Sequence, residues 1–376
     1  MTLFRVGAAA LLLSTTTALA QSSDGRSLRS HGALVLGLEE ALSSSVSLGD
    51  VDGDGDLDAV VGNGRHWAEQ NVVFYNNGRG FFGTARPLGQ VLDTTYAVPL
   101  VDIDGDGDLD VVIGNDSVPN RVFLNDGNGL FSEGAEVGEA DSSTRSLAIA
   151  DVDGDGHSDV LFTNRGDPNS IELGDGEGGF PRRWRFGEQT DSTLAVAARD
   201  IDGDGHVDLV AANRDGQANR LYLGDGNGNF RPGEVLGTGS DESRDLIVED
   251  FDDDGHLDVA IGNIGQQNVV YFGDGTGRFQ ASASFGAVDS TTFDLEAADF
   301  NGDGQLDLVS GNADQANALH INRGGRRGFL SIPFETEAHD TYAIAVGDVN
   351  GDGFPDIVTA NSGAVNRVYL NVEERP

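Results

Sequence analysis

The chain contains no cysteine, so it has no disulfides to staple it, even though an export route would permit them. Basic residues are scarce: 23 Lys and Arg stand against 63 Asp and Glu, a formal net charge of −40 at pH 7. Binding a phosphate backbone needs a basic patch, which excludes nucleic acid as a partner and makes an anionic membrane surface equally unfavourable. Beyond the first twenty residues no apolar run is a candidate to span a bilayer, so membrane insertion is not expected. Also missing are a Ser/His/Asp order, a phosphate-cradling loop and a zinc cluster. Long unpatterned polar tracts are absent too. With 38% of residues apolar and arranged in short strands, the acidity is not that of a disordered chain.

What is present begins with an export signal. Arg5 precedes a short apolar run from Val6 to Leu13, and Ala18-Leu19-Ala20 stands before Gln21. Residues 1–20 therefore read as a signal peptide cleaved after Ala20, which makes the chain secreted, periplasmic or extracellular. Residues 21–32 read as a linker, and 33–372 as a single repeat domain.

The dominant feature of that domain is a nine-residue acidic loop, first seen as DVDGDGDLD from Asp50, that recurs from Asp102, Asp151, Asp200, Asp250, Asp299 and Asp348. A spacing of 49 to 52 residues signals a repeat architecture. Positions one, five and nine are always Asp, position six is always Gly, and position three is Asp or, in the last two copies, Asn. Closely spaced oxygen side chains around a glycine turn suit a hard cation with six to eight oxygen ligands, which points to Ca²⁺, up to seven ions, one per repeat. The expected ligands are Asp50, Asp52, Asp54 and Asp58 in the first loop and Asp102, Asp104, Asp106 and Asp110 in the second. The third and fourth offer Asp151, Asp153, Asp155, Asp159, then Asp200, Asp202, Asp204 and Asp208. The fifth offers Asp250, Asp252, Asp254 and Asp258, the sixth Asp299, Asn301, Asp303 and Asp307, and the seventh Asp348, Asn350, Asp352 and Asp356. An EF-hand is excluded, because its twelfth position must be Glu and here it is Val61, Ile113, Phe162, Ala211, Ile261, Ser310 or Thr359. Position seven varies, as expected of a backbone-carbonyl ligand, so His157, His206 and His256 there read as exposed.

After each loop the repeat follows one script. A strand ends in Asn (Asn63, for example), a short loop leads to a second Asn (Asn71), and a strand, a Gly-rich turn and a fourth strand complete the unit. The paired Asn residues read as turn caps, and the Phe after each Gly-rich turn as packing between units. Four short antiparallel strands repeated seven times predict an all-β, seven-bladed β-propeller. The seventh repeat stops after its third strand. ALVLGLEE, from Ala33 to Glu40, reads as the missing fourth strand supplied from the N-terminus.

The D-x-D-G-D-G-x-x-D loop, the N-x-V-Y-L-N-D-G-x-G-x-F run and pairs such as Phe186-Gly187 and Phe285-Gly286 together resemble FG-GAP/VCBS repeats. Such repeats build the integrin α-subunit propeller, bacterial surface proteins, a fungal lectin and some polysaccharide lyases. The resemblance spans residues 34 to 371 and implies the propeller and its calcium; for function it is unspecific. Integrin α-subunits continue into further ectodomains and fill only some blades with calcium loops, so a receptor subunit is not expected.

Function is sought where the repeats differ. The first has a longer loop, GNGRHWAEQ, carrying Arg65, His66, Trp67 and Glu69. Six residues before the seven acidic loops stand Ser44, Tyr96, Arg145, Leu194, Arg244, Phe293 and Tyr342. Aromatics with Arg at a channel mouth suit sugars, so Arg65, His66, Trp67, Tyr96, Arg145, Arg244 and Tyr342 are the candidate ligand-binding set. The resulting expectation is an extracellular binding or adhesion module for a glycan or a surface protein, with no catalytic residue assigned. The alternative is a polysaccharide lyase acting on an acidic polysaccharide, since lyase-type propellers use Tyr, His and Arg. Arg165-Gly166-Asp167 spells the tripeptide that integrins recognise, but the Asp- and Gly-rich composition accounts for it.

Overall fold

The structure, a computed structural model, describes residues 20, 21 and 25–374. The expected signal peptide lies, except for Ala20, outside the described residues. Seven antiparallel sheets succeed one another along the chain, and no helix occurs among the described residues. The third blade is typical: Thr144–Ala150, Asp159–Asn164, Asn169–Leu173 and Arg182–Phe186 pair in that order. Second strands such as DVVIGN (Asp110–Asn115) are buried from end to end, as the middle of a sheet packed on both faces requires. Seven apolar clusters hold the blades together, and each lies between two neighbours. One joins Val46, Ala59 and Phe74 of blade one to Ala343, Val358 and Val368 of blade seven. The next joins Val60 and Val73 to Val111, Ile113 and Phe123. Phe82, after the first Gly-rich turn, lies in the blade seven–one cluster, and Phe131 packs against the following one, in line with the packing role read for those positions. Blade two departs from the script. Pro99 has no N–H to give a ladder, and its inner strand is split into Thr95–Ala97 and Leu100–Val101.

The Asn residues form something larger than local caps. In blade three, the Asn164 N–H donates to the side chain of Asn169, whose amide donates to the Thr193 hydroxyl of blade four, 2.8 Å away. That hydroxyl donates in turn to Asn213, at 2.8 Å, and the pattern begins again. The same relay runs through every blade and crosses from the last to the first, where Asn366 donates to Ser43. The result is a closed belt of buried polar groups, each satisfied by the blade next door. Thr193→Val keeps the shape but leaves the Asn169 amide and the Asn213 carbonyl unpaired in the interior. We expect a loss of about 3 kcal/mol in denaturant unfolding, whereas Thr193→Ser, which keeps the hydroxyl, should lose less than about 1 kcal/mol. Equal losses in the two variants would reduce the belt to simple packing.

Blade seven differs from expectation at its outer edge. The strand predicted over Ala33–Glu40 is present only as Val35–Leu36, which pairs with Asn366 and Arg367. A second segment, Arg26–Arg29, lies within the expected linker and pairs with Leu370–Glu373. The last strand, Asn366–Glu373, is long enough to take both segments end to end. Leu28 is buried with Phe300, Phe334 and Tyr369, while Leu34 and Leu36 are buried with Phe74 and Val368. These apolar anchors explain why both segments dock.

Candidate functional site

The acidic loops are folded by their own carboxylates. Asp50 accepts from the Gly53 and Gly55 N–H groups at 2.8 and 3.0 Å, so position one turns the loop around itself. Position four adopts a left-handed conformation, φ 75° at Gly53, which explains the glycine there in six loops. The fifth loop has Asp253 at φ 58°, one of the few non-glycine residues that tolerates it. Position nine is fully buried. Asp159 accepts from Val152 N–H at 2.8 Å and from Gly174 N–H at 2.9 Å, fastening the loop to the end of the third strand. Desolvation, only partly offset by these bonds, raises this carboxyl to about 7 in Asp58, Asp307 and Asp356, and to about 6 in Asp110, Asp159 and Asp258.

Among the described residues, positions one, three and nine of loops one to four each bring an oxygen within 4.8 Å of the others; in loop five, positions one, three and five do so. In loops six and seven the amides of Asn301 and Asn350 donate to Asp303 and Asp356, at 3.1 and 3.2 Å. Two observations favour a cation. Asp153 Oδ1 is buried without a hydrogen-bond donor. In addition, guanidinium groups lie against three of the loops: Arg182 on Asp153 at 2.7 Å, Arg326 on Asp252 and Asp254, and Arg26 on Asp352 at 3.4 Å. These acidic clusters could hold metal ions. His157, His206 and His256, in the variable seventh position, are exposed as expected.

The opposite face is organised by a β-bulge repeated in every blade. Pairing of the inner strand with the second strand jumps from Ser243 to Asp245, from Thr292 to Asp294 and from Thr341 to Ala343, and likewise in the other blades. The skipped residues are Ser44, Tyr96, Arg145, Leu194, Arg244, Phe293 and Tyr342. A bulge re-aims its extra side chain, and here six of the seven line a channel cavity of about 150 Å³: Ser44, Tyr96, Arg145, Arg244, Phe293 and Tyr342. Of the seven, only Leu194 is outside that lining.

Four of the seven candidate ligand-binding residues, Tyr96, Arg145, Arg244 and Tyr342, line the cavity, and Arg65 and His66 touch two of these from beside it. The Arg145 guanidinium lies 4.4 Å from the Tyr96 ring centroid and that of Arg65 lies 4.2 Å from Tyr342. The Tyr96 hydroxyl and His66 Nδ1 are 3.2 Å apart, and Phe293 meets Tyr342 edge to face at 4.5 Å. Desolvation and the cations Arg65 and Arg145 hold His66 below the usual imidazole range. Desolvation raises the Tyr96 and Tyr342 hydroxyls. Arg145 is engaged already, giving a 3.0 Å ion pair to Asp116. Trp67 stands apart, with 74% of its surface exposed. Its loop is fixed rather than loose. Glu69 accepts from Leu42 N–H at 2.9 Å, and a Cβ on Gly64 would stand 2.2 Å from the Asp93 carbonyl oxygen. Beside that loop is a groove of about 860 Å³ lined by Leu38, Ala68, Phe74 and Leu92.

Sequence reasoning missed three acids in the channel: Asp245, Asp294 and Glu296. The signal was available, because other blades place Ala or Ser at the first two positions (Ala97, Ser146, Ala195, Ala343). Asp245 and Asp294 accept from the N–H groups of Leu295 and Ile344 in the next blade, at 2.8 and 2.6 Å. Desolvation and mutual repulsion hold Asp294 well above the carboxylate range, and desolvation pushes Glu296 up to about 8. The Arg165-Gly166-Asp167 tripeptide is engaged within the fold: Arg165 makes a two-pronged pair with Asp215, and Asp167 accepts from Ser143 N–H.

The FG-GAP-like repeat pattern matches six overlapping spans of the chain, residues 50–113, 102–162, 151–211, 200–261, 250–310 and 299–359. No curated protein matches it in sequence. Among solved structures it is similar to BBS1N, crystallised in complex with ARL6DN and soaked with mercury. The identity is 12% and the TM-score 0.62, over 91% of this chain and 98% of that one. It is also similar to the WD40 β-propeller domain of Doa1, at 13% identity and a TM-score of 0.58, over 89% and 95% of the two chains. Likeness at such identity concerns the fold alone. The acidic loops, their period and the matched spans agree with one another, and the chain belongs to the FG-GAP-like repeat family.

Proposed function

We propose that the chain is an exported, calcium-stabilised binding module that engages a glycan or an extracellular protein at the channel mouth. The bulge ring carries this reading. The belt residues on one side of each bulge are uniform from blade to blade, whereas the bulge side chains include Tyr, Arg, Phe, Leu and Ser. A scaffold that fixes everything but the side chains at one mouth presents a recognition surface. Calcium in this reading is structural. Positions one, three and nine, with position five, would hold it, and it would supply charge to neutralise the loops. The signal-like first twenty residues and the absence of cysteine agree with an exterior where calcium, not disulfides, is the staple.

The expected anchor is Trp67, whose exposed ring offers an apolar face for stacking and an N–H for a hydroxyl. A glycan array probed with the calcium-loaded chain should give saturable binding. Trp67→Ala should weaken it about tenfold or more at an unchanged melting temperature, whereas Asp204→Ala should mainly lower the melting temperature. Full affinity in Trp67→Ala would shift the anchor to Tyr96 or Tyr342. One contact favours the second reading, a polysaccharide lyase: Tyr96 and His66 within hydrogen-bond distance, beside Arg145. The raised Tyr96 hydroxyl weighs against Tyr96 as the base. Products absorbing in the ultraviolet after incubation with an acidic polysaccharide would decide for the lyase.

A further inference from the structure

We propose that the channel mouth contains a built seat for one anionic group, a carboxylate or a sulfate, with Arg244 as its base. The inference rests on reading the mouth as the binding face, and it specifies the chemistry of what binds there.

Arg244 is only 8% exposed, yet among the described residues its guanidinium receives no hydrogen-bond acceptor and no ion pair. Among the described residues it is the only buried arginine. All 23 basic residues of the chain are arginine, in a chain with 63 acids. Arg165, Arg182, Arg183, Arg185 and Arg326 all have carboxylate partners within ion-pair distance. Its guanidinium carries five N–H donors and keeps its proton under all ordinary conditions, and with no protein acceptor those donors are left to the cavity it lines. The bulge aims Arg244 into the cavity of about 150 Å³, where Phe293 flanks it with its ring centroid 5.8 Å from the guanidinium. Arg65 approaches the same mouth over Tyr342. It too lacks an acceptor, and its Nε is a buried donor without a partner. Arg244, Tyr96 and Tyr342 thus line one small space, with Arg65 beside it over the Tyr342 ring and the Tyr96 hydroxyl 3.2 Å from His66 Nδ1, a donor set suited to a planar carboxylate or a sulfate.

Asp245 and Asp294 act on Arg244 through space, but no nearby acid gives its guanidinium a hydrogen bond or an ion-pair contact. Asp116 is committed to Arg145, and Asp245 and Asp294 are drawn to the backbone of the next blade. Glu296 is two residues further along its strand than Asp294, toward the acidic-loop face, and desolvation keeps it protonated through much of the neutral range. The sequence also supplies a harmless replacement for the test. Leu194 occupies the same bulge in blade four, so Arg244→Leu installs a side chain that the repeat already accommodates.

The test titrates the calcium-loaded full chain with inorganic sulfate, with glucuronate and with neutral glucose, at fixed ionic strength, following binding by calorimetry. Sulfate and glucuronate should bind saturably and compete with each other, and glucose should not displace them. Arg244→Leu should weaken both anions at least tenfold without lowering the melting temperature, and Arg244→Lys should weaken them less. Arg79→Leu, which removes an exposed charge elsewhere, should leave both unchanged. The seat is refuted if neither anion binds saturably, if Arg244→Leu binds like the parent, or if Arg79→Leu loses as much. An occupied seat with a blank glycan array would retain this inference and remove the glycan reading. Neutral glycans bound without any response to sulfate or glucuronate would do the reverse.

Discussion

Excess EDTA should lower the melting temperature of this chain on the order of 20 °C, and added Ca²⁺ should restore it. Each loop gathers three or four carboxyl groups, and three of them stand within 4.8 Å of one another in loops one to five. Like charges at that distance repel strongly unless a cation or a proton intervenes. Oxygen-ligand sites of the extracellular kind bind calcium at about 10⁻⁴–10⁻³ M. At ten times its dissociation constant, each site adds about 1.4 kcal/mol to the folded state, so seven sites add about 10 kcal/mol. For a domain of this size that corresponds to roughly 2 °C per kcal/mol. The loss should be uneven. Loops three, five and seven keep a guanidinium on a ligand carboxylate, from Arg182, Arg326 and Arg26, whereas no ion pair of that kind reaches loops one, two, four and six among the described residues. Hydrogen exchange after chelation should therefore rise first in those four loops. Mg²⁺ should restore little, because it demands a tighter octahedral shell than flexible nine-residue loops provide. A melting curve unmoved by EDTA would end the calcium reading.

Much of the architecture was legible because it is written seven times. The acidic loop announces its position by invariant Asp and Gly, and the strands between loops can only be blades. The Asn pairs were harder. Local reasoning made them turn caps, because Asn commonly caps turns. Yet the amide of Asn169 donates to a hydroxyl 24 residues later, and every repeat but the last keeps that spacing, for example Asn71 to Thr95 and Asn317 to Thr341. The constant interval was the available signal for a contact between blades. The mouth residues were legible as the variable positions of an otherwise uniform frame, but their environment was not. Nothing in the sequence says that Arg145 is neutralised by Asp116 while Arg244 stays unpaired, because that depends on which blades meet across the channel. The outer edge of blade seven was only half legible. Leu34 and Leu36 were read as part of a strand, but RSLR has no alternation strong enough to mark Arg26–Arg29 as another.

That edge sets the second large effect. Three chains, beginning at Gln21, Ser30 and Ala41, should melt at successively lower temperatures. The Ser30 chain loses the Arg26–Arg29 pairing and the buried Leu28, a cost of about 3–5 kcal/mol by analogy with core leucine truncation. The Ala41 chain also loses Leu34, Leu36 and the pairing of Val35–Leu36, which at least doubles the cost. The ring itself should not open. Asn366 still donates to Ser43, and Asn76 still donates to the Val349 carbonyl, so blades one and seven remain joined by bonds that need none of the removed residues. What the deletion exposes is the whole unpaired edge of Asn366–Glu373, a template for strand addition. The Ala41 chain should therefore oligomerise in light scattering, not unfold outright. A synthetic peptide spanning residues 25–40 should return it to a monomer by taking the vacant edge. If the Ser30 and Gln21 chains melt alike, Arg26–Arg29 contributes nothing to the blade. If the Ala41 chain stays monomeric at the parent melting temperature, the outer edge of blade seven is closed by other means than these N-terminal strands.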